Sequence, residues 1–434
     1  MYEDLAAREE GGIPAAVAEL AREPGEFRRG WPVVLSALLG IGLGLSPLPF
    51  YTAGLFAPEL ARAFHWGFGQ IMGGLTVMTV LTLGASPVVG FLADRYGVRR
   101  VALTSLVLFA TSFGALAASN GSLLLFYLNW ALIALLGAGT LPITWTRPVN
   151  NSFEVHKGLA LGLSLVGTGL FGFLIKPTAA WLIATVGWRA AYLAIGFMPL
   201  IIALPVALLW FHDREAGSVE PRRLSLGTAG YSFGEARRDW RFWVLALALV
   251  PIAFAGGGPI SNMENILANA GFVRSDIVRL VPLLGLSVMV GRALGGWLID
   301  RVWAPAVACI LLCLVAIACW MLARHSVGFA TALACIVAFG FASGIEYDLM
   351  GFLVARYFGM RSYGAIYGVL YGFFSLGAGV GPLVYGAVFD ATRSYARALL
   401  PTSGALLVGA LMLLTLGRYR NFGPTEPSGR SVAS

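Results

Sequence analysis

Twelve apolar stretches, each close to the twenty residues that one helical crossing of a bilayer needs, occupy most of this 434-residue chain. They run at 31–54, 69–92, 101–118, 122–146, 158–182, 190–211, 241–261, 278–299, 305–323, 328–353, 364–388 and 397–417. In hydrocarbon every backbone N–H and C=O must be satisfied internally, so stretches of this kind fold as helices. The fold class that follows is an all-α membrane protein with twelve transmembrane helices. Composition agrees: only 12% of the residues are charged, against about 25% in a soluble domain.

The longest internal polar stretch separates the spans six and six. This gives an N-terminal tail (1–30), a first six-helix bundle (31–211), a linker (212–240), a second bundle (241–417) and a C-terminal tail (418–434). Most of the 30 Lys and Arg residues fall on the side that carries the N-terminus, which the positive-inside rule makes cytoplasmic. Both termini are therefore expected in the cytoplasm, and the location is expected to be the plasma (bacterial inner) membrane. The opening MYEDLAAREEGGIP lacks a basic segment followed by an apolar core, so no cleaved signal peptide is expected. The formal charge of +8 is spread over short loops and reads as topology, not nucleic-acid binding. Cys309, Cys313, Cys319 and Cys335 all lie in apolar spans and read as small buried hydrophobes. Neither they nor the scattered histidines make a metal set. No cofactor, and no nucleophile–base pair of an enzyme, is visible.

The two halves repeat. Gly90-Phe-Leu-Ala-Asp94-Arg95 ends the second span and Gly296-Trp-Leu-Ile-Asp300-Arg301 ends the eighth, 206 residues later. Gly158 and Gly162 open the fifth span, and Gly364 and Gly368 open the eleventh, at the same offset. Parallel repeats of this kind build two bundles around a central site.

Four charged side chains read as lying inside the spans: Lys176, Arg292, Glu346 and Asp348. Each costs roughly 2.5 kcal/mol or more there, and such groups are kept for transport or pairing. Arg292 is near the middle of its span, and its repeat counterpart is Ser86, so the fold does not demand a charge at that place. Its planar fork suits a carboxylate; a structural ion pair with Glu346 or Asp348 is the alternative. Lys176 precedes Pro177 toward the outer end of its span, as a second anion-binding cation or as an outer-gate or snorkelling residue. Glu346 and Asp348, about 200° apart around one helix, face different ways. Glu346 is favoured as the proton carrier, with Asp348 pairing to a gate arginine. Tyr51, Trp145 and Tyr371 are the aromatic candidates for the cavity wall.

The stretch Gly90-Phe-Leu-Ala-Asp94-Arg95-Tyr-Gly97-Val-Arg99-Arg100 resembles the loop 2–3 signature of the major facilitator superfamily, with one residue inserted before the basic pair. The resemblance covers residues 31–417 and implies two six-helix bundles that rock about a central site. It also implies that Asp94, Arg95, Asp300 and Arg301 act as gates, with topology marking as the alternative. Within the superfamily, Phe153-Glu-Val-His-Lys157-Gly158-Leu-Ala160-Leu-Gly162, Gly291-Arg292-Ala-Leu-Gly295-Gly296 and Arg356-Tyr-Phe-Gly359-Met-Arg361-Ser-Tyr-Gly364 resemble the monocarboxylate and oxalate/formate porters. In those porters the arginine matching Arg292 contacts the substrate carboxylate. Where the animal branch has an acid one turn before that arginine, this chain has Val288. Where that branch has a lysine in the first span, this chain has Tyr51.

Together these readings give a secondary transporter that moves a small organic anion, a mono- or aromatic carboxylate, with a proton, working as a monomer in the bilayer. Anion exchange or uniport without a proton is the alternative. A third reading is proton-driven export of hydrophobic compounds, which two intramembrane cations disfavour.

Overall fold

The computed structural model describes residues 26–153, 157–212, 230–324, 327–359 and 361–420. Its elements are α1 (Glu26–Gly42), α2 (Pro47–Phe64), α3 (Phe68–Tyr96), α4 (Val98–Gly114), α5 (Leu123–Gly137), α6 (Pro142–Ser152), α7 (Lys157–Met198) and α8 (Leu204–Trp210). A second set follows: α9 (Trp240–Asn269), α10 (Arg274–Leu280), α11 (Pro282–Arg301), α12 (Ala304–Leu322), α13 (Phe329–Phe358), α14 (Tyr363–Thr392) and α15 (Ala396–Leu414). Most of the expected linker, residues 213–229, lies outside the described residues.

Among the described residues, eleven helical runs are long and apolar enough to cross a membrane. One of them, Leu159–Trp210, bends at Gly187, whose φ of 81° and ψ of 165° are open only to glycine. It therefore makes two crossings, and the total of twelve agrees with the hydropathy. An even number of crossings returns the chain to the face it started from, here called the terminal face; the opposite one is the distal face.

Lipid is as apolar as the side chains, so close packing and dispersion hold such helices together instead of hydrophobic burial. Glycines allow that approach. A Cβ at Gly291 would fall on the backbone of Phe341, and one at Gly344 on the backbone of α11, so α11 and α13 meet nearly backbone to backbone. Gly257 and Gly377 do the same for α9 and α14. Between the bundles, α2 packs on α9, α3 on α14, and α7 on α11.

Candidate functional site

The first crossing is broken at its middle. α1 stops at Gly42 and α2 starts at Pro47; Pro47 and Pro49 lack the N–H groups that would continue the ladder. The break is fixed from the turn between α5 and α6: the Thr140 hydroxyl accepts from Leu45 N at 2.8 Å and donates to Gly137 O at 2.7 Å. The chain thereby turns Ser46, Phe50 and Tyr51 into the space between the bundles. Arg292 of α11, Ser343 and Glu346 of α13 and Phe374 of α14 face them across a cavity of about 140 Å³. An adjoining cavity of about 70 Å³ shares Ser46 and Phe374 and adds Tyr371, whose ring stacks on Phe374 with centroids 6.2 Å apart.

Arg292 and Glu346 thus open onto one space from neighbouring helices. They are not ion-paired: among the described residues no carboxylate lies within salt-bridge reach of Arg292, and its buried Nε has no hydrogen-bond partner. Ser343, one turn earlier, lines the same wall, and the Glu346 carboxylate lies against Gly256 of α9. The repeat counterparts are occupied structurally. Ser86 donates to Thr82 O at 2.8 Å, and Thr140 holds the break in the first crossing. A guanidinium left without an acceptor in a half-buried wall is costly unless an anion joins it.

Lys176 is neither snorkelling nor an unengaged anion site. It is only 3% exposed and pairs with Glu264 of α9; the ammonium also sits 5.6 Å from the centre of the Tyr51 ring. Glu264 is hard to see in the sequence because Ser261-Asn-Met-Glu264-Asn265 reads as the polar end of a span, whereas α9 continues to Asn269. Two of these polar side chains bond back to the helix, Ser261 Oγ donating to Gly257 O at 2.7 Å and Asn262 Nδ2 to Gly258 O at 2.9 Å. The expectation that Glu346 and Asp348 are the acids of the spans is corrected accordingly: Glu264 is a third, and it is buried.

Several hydrogen bonds cross between the bundles in the distal half. Asn265 Nδ2 donates to Gly54 O at 3.1 Å. Asp390, near the end of α14, accepts from Phe68 N at 2.8 Å and Gly69 N at 2.7 Å, so its carboxylate caps the N-terminus of α3 in the other bundle. Glycines report the same asymmetry. Cβ atoms at Gly69, Gly169 and Gly386 would strike the opposite bundle, whereas those at Gly90, Gly162 and Gly368, toward the terminal face, would meet nothing within 4 Å. The cavity is closed on its distal side and the bundles part on the terminal side. Asp390→Asn removes a charge from the α3 N-terminus and one charge-assisted bond, a loss of about 1–2 kcal/mol. The expected result is faster cysteine labelling at the distal face; an unchanged labelling rate assigns Asp390 no part in closure.

Other expected site residues fall elsewhere. Trp145 is fully buried inside the first bundle, its ring 4.5 Å from that of Phe211 and pressed on Gly40; it does not line the cavity. Arg95 and Arg301 are exposed at the terminal-face ends of α3 and α11. The side chains of Asp94, Asp300 and Asp348 lie outside the described residues.

Two helical bundles packed around a central cavity with Arg292 and Glu346 in its wall have the architecture of a membrane transporter. A sequence profile of the Major Facilitator Superfamily matches residues 39–382, and the chain belongs to that superfamily. It is 31% identical over 382 residues to an uncharacterized 38 kDa protein in a 23S RNA operon of Thermoproteus tenax, covering 87% of this chain and 94% of that one. It is 28% identical to monocarboxylate transporter 13 of Bos taurus, covering 92% and 91% of the two chains, and 26% identical to human monocarboxylate transporter 11, covering 90% and 83%. Among solved structures, a bacterial homologue of the human lysosomal transporter Spinster, in an inward-facing and occupied conformation, shares the fold with a TM-score of 0.68 at 16% identity, covering 94% of this chain and 97% of that one.

Proposed function

We propose that this transporter moves a small monocarboxylate together with a proton, with the terminal face in the cytoplasm and the distal face outside. The observation that carries the reading is Arg292: a guanidinium in the cavity wall, its Nε unpartnered, with a carboxyl group in the same wall that does not neutralise it. The relatives named for monocarboxylate transport support the choice of anion. The volume supports a small one, since a cavity of about 150 Å³ accommodates one benzene-sized molecule. Glu346 is the group we assign to the proton in the cavity, because it can be neutral or charged beside the anion while Arg292 stays charged. Asp94 is the residue we assign to the cytoplasmic latch, capping the N-terminus of α14 when that face closes, as Asp390 caps α3 here.

The test is a screen of short aliphatic and aromatic carboxylates in proteoliposomes with internal pH recorded. Symport acidifies the lumen as a carboxylate enters; exchange or uniport leaves pH unchanged. Glu346→Gln fixes the neutral form. It is expected to abolish pH-driven accumulation while counterflow of labelled substrate persists, because exchange needs no net proton movement. Normal accumulation by this variant removes Glu346 from the coupling step.

A further inference from the structure

The reading above occupies the cavity that Arg292 lines and leaves the adjoining one, of about 70 Å³, without a task. We infer that this second chamber is a subsite for a hydroxyl group, with Thr82 as its hydrogen-bonding partner, so that the cargo is a carboxylate bearing a hydroxyl at the end remote from the carboxyl group. The inference deepens the reading of Arg292 as the carboxylate site and rests on it.

The two chambers run into one another. Ser46, Phe50, Phe374 and Ala378 line both, so one ligand can span them. Their polar ends belong to different bundles: Arg292 stands on α11 of the second, whereas Thr82 comes from the middle of α3 in the first. The Thr82 hydroxyl oxygen is buried and has no hydrogen-bond partner among the described residues. A helical Ser or Thr can return its hydroxyl to the carbonyl one turn back. Its neighbours on α3 do so, Thr79 donating to Leu75 O at 2.8 Å and Ser86 to Thr82 O at 2.8 Å. Thr82, between them, does not. A hydroxyl kept from both water and its own helix is costly unless a partner reaches it, and in this chamber a ligand can.

The rest of the lining says what kind of ligand that is. The shared wall is aromatic, Phe50 and Phe374, with the Tyr371 ring stacked on Phe374 at an interplanar angle of 16°; a benzene ring or a short methylene chain suits that passage. No charged side chain lines the second chamber, so a second carboxylate or an ammonium would be buried there without a counter-ion. The far end of the ligand is therefore neutral and polar. One water needs only about 10–15 Å³ of such space, so the chamber has room for a hydroxyl and the carbon that carries it.

The test compares ligands that differ by one group. Isothermal titration of purified protein in nanodiscs sets 4-hydroxybenzoate against 4-methylbenzoate, and 6-hydroxyhexanoate against heptanoate; each pair exchanges a hydroxyl for a methyl of similar size. In at least one pair the hydroxyl ligand is expected to bind about two- to tenfold tighter, the effect of one net hydrogen bond. Thr82→Val replaces the hydroxyl by a methyl of the same shape and erases or inverts that ratio, whereas Thr82→Ser keeps it. The readout is a ratio within one protein, so a general loss of affinity does not imitate it. Equal affinity for hydroxyl and methyl ligands in both pairs, or a preference retained by Thr82→Val, overturns the subsite and leaves the Arg292 reading standing. Binding of no carboxylate at all overturns both.

Discussion

Arg292→Lys is expected to lose most carboxylate transport while inserting and folding normally. A lysine keeps the charge but offers a point where the guanidinium offers a planar fork. One bidentate, charge-assisted contact is therefore reduced to a single bond. Hydrogen bonds to charged groups contribute about 1.5–3 kcal/mol each, so affinity should fall roughly ten- to hundred-fold. Because no carboxylate among the described residues pairs with the arginine, the loss should appear in substrate binding and not in thermal stability. Parallel measurement of carboxylate affinity and melting temperature separates the two. Near-normal transport by Arg292→Ala in correctly inserted protein removes Arg292 from the substrate site.

Lys176→Met is expected to have the opposite signature. Its methylenes fill much the same space, but Glu264 is left buried and charged with no partner. Breaking a buried pair from one side costs about 3–5 kcal/mol, whereas replacing both members by apolar groups is often neutral or stabilising. The single variant should therefore melt several degrees lower, or escape the penalty by opening its outer face and hydrating Glu264. Lys176→Met combined with Glu264→Met should recover the parental melting temperature. Unchanged melting and unchanged outer-face accessibility in the single variant would show that the pair contributes nothing to closure.

The number of crossings and the two-bundle fold were legible in the sequence because the bilayer imposes them. Twelve stretches of bilayer length leave few alternatives, and a motif repeated at an offset of 206 residues fixes how the halves correspond. Arg292, Glu346 and Tyr51 could also be picked out, since a charge or a large polar ring in hydrocarbon stands apart from its neighbours in the chain. Glu264 could not. Its span reads as ending at a polar run whose Ser261 and Asn262 side chains bond back to their own helix, and hydropathy cannot distinguish that from a loop. Trp145 erred in the other direction: an aromatic in a span is as ready to fill a gap beside Gly40 as to face a cavity, and only the packing of α1 on α6 decides. The sequence by itself determined which segments enter the membrane and which residues are too costly to be there without purpose. Tertiary structure alone decided which charges meet, Lys176 with Glu264 across the bundles and Arg292 with no carboxylate among the described residues, because pairing depends on the relative rotation and depth of helices far apart in the chain.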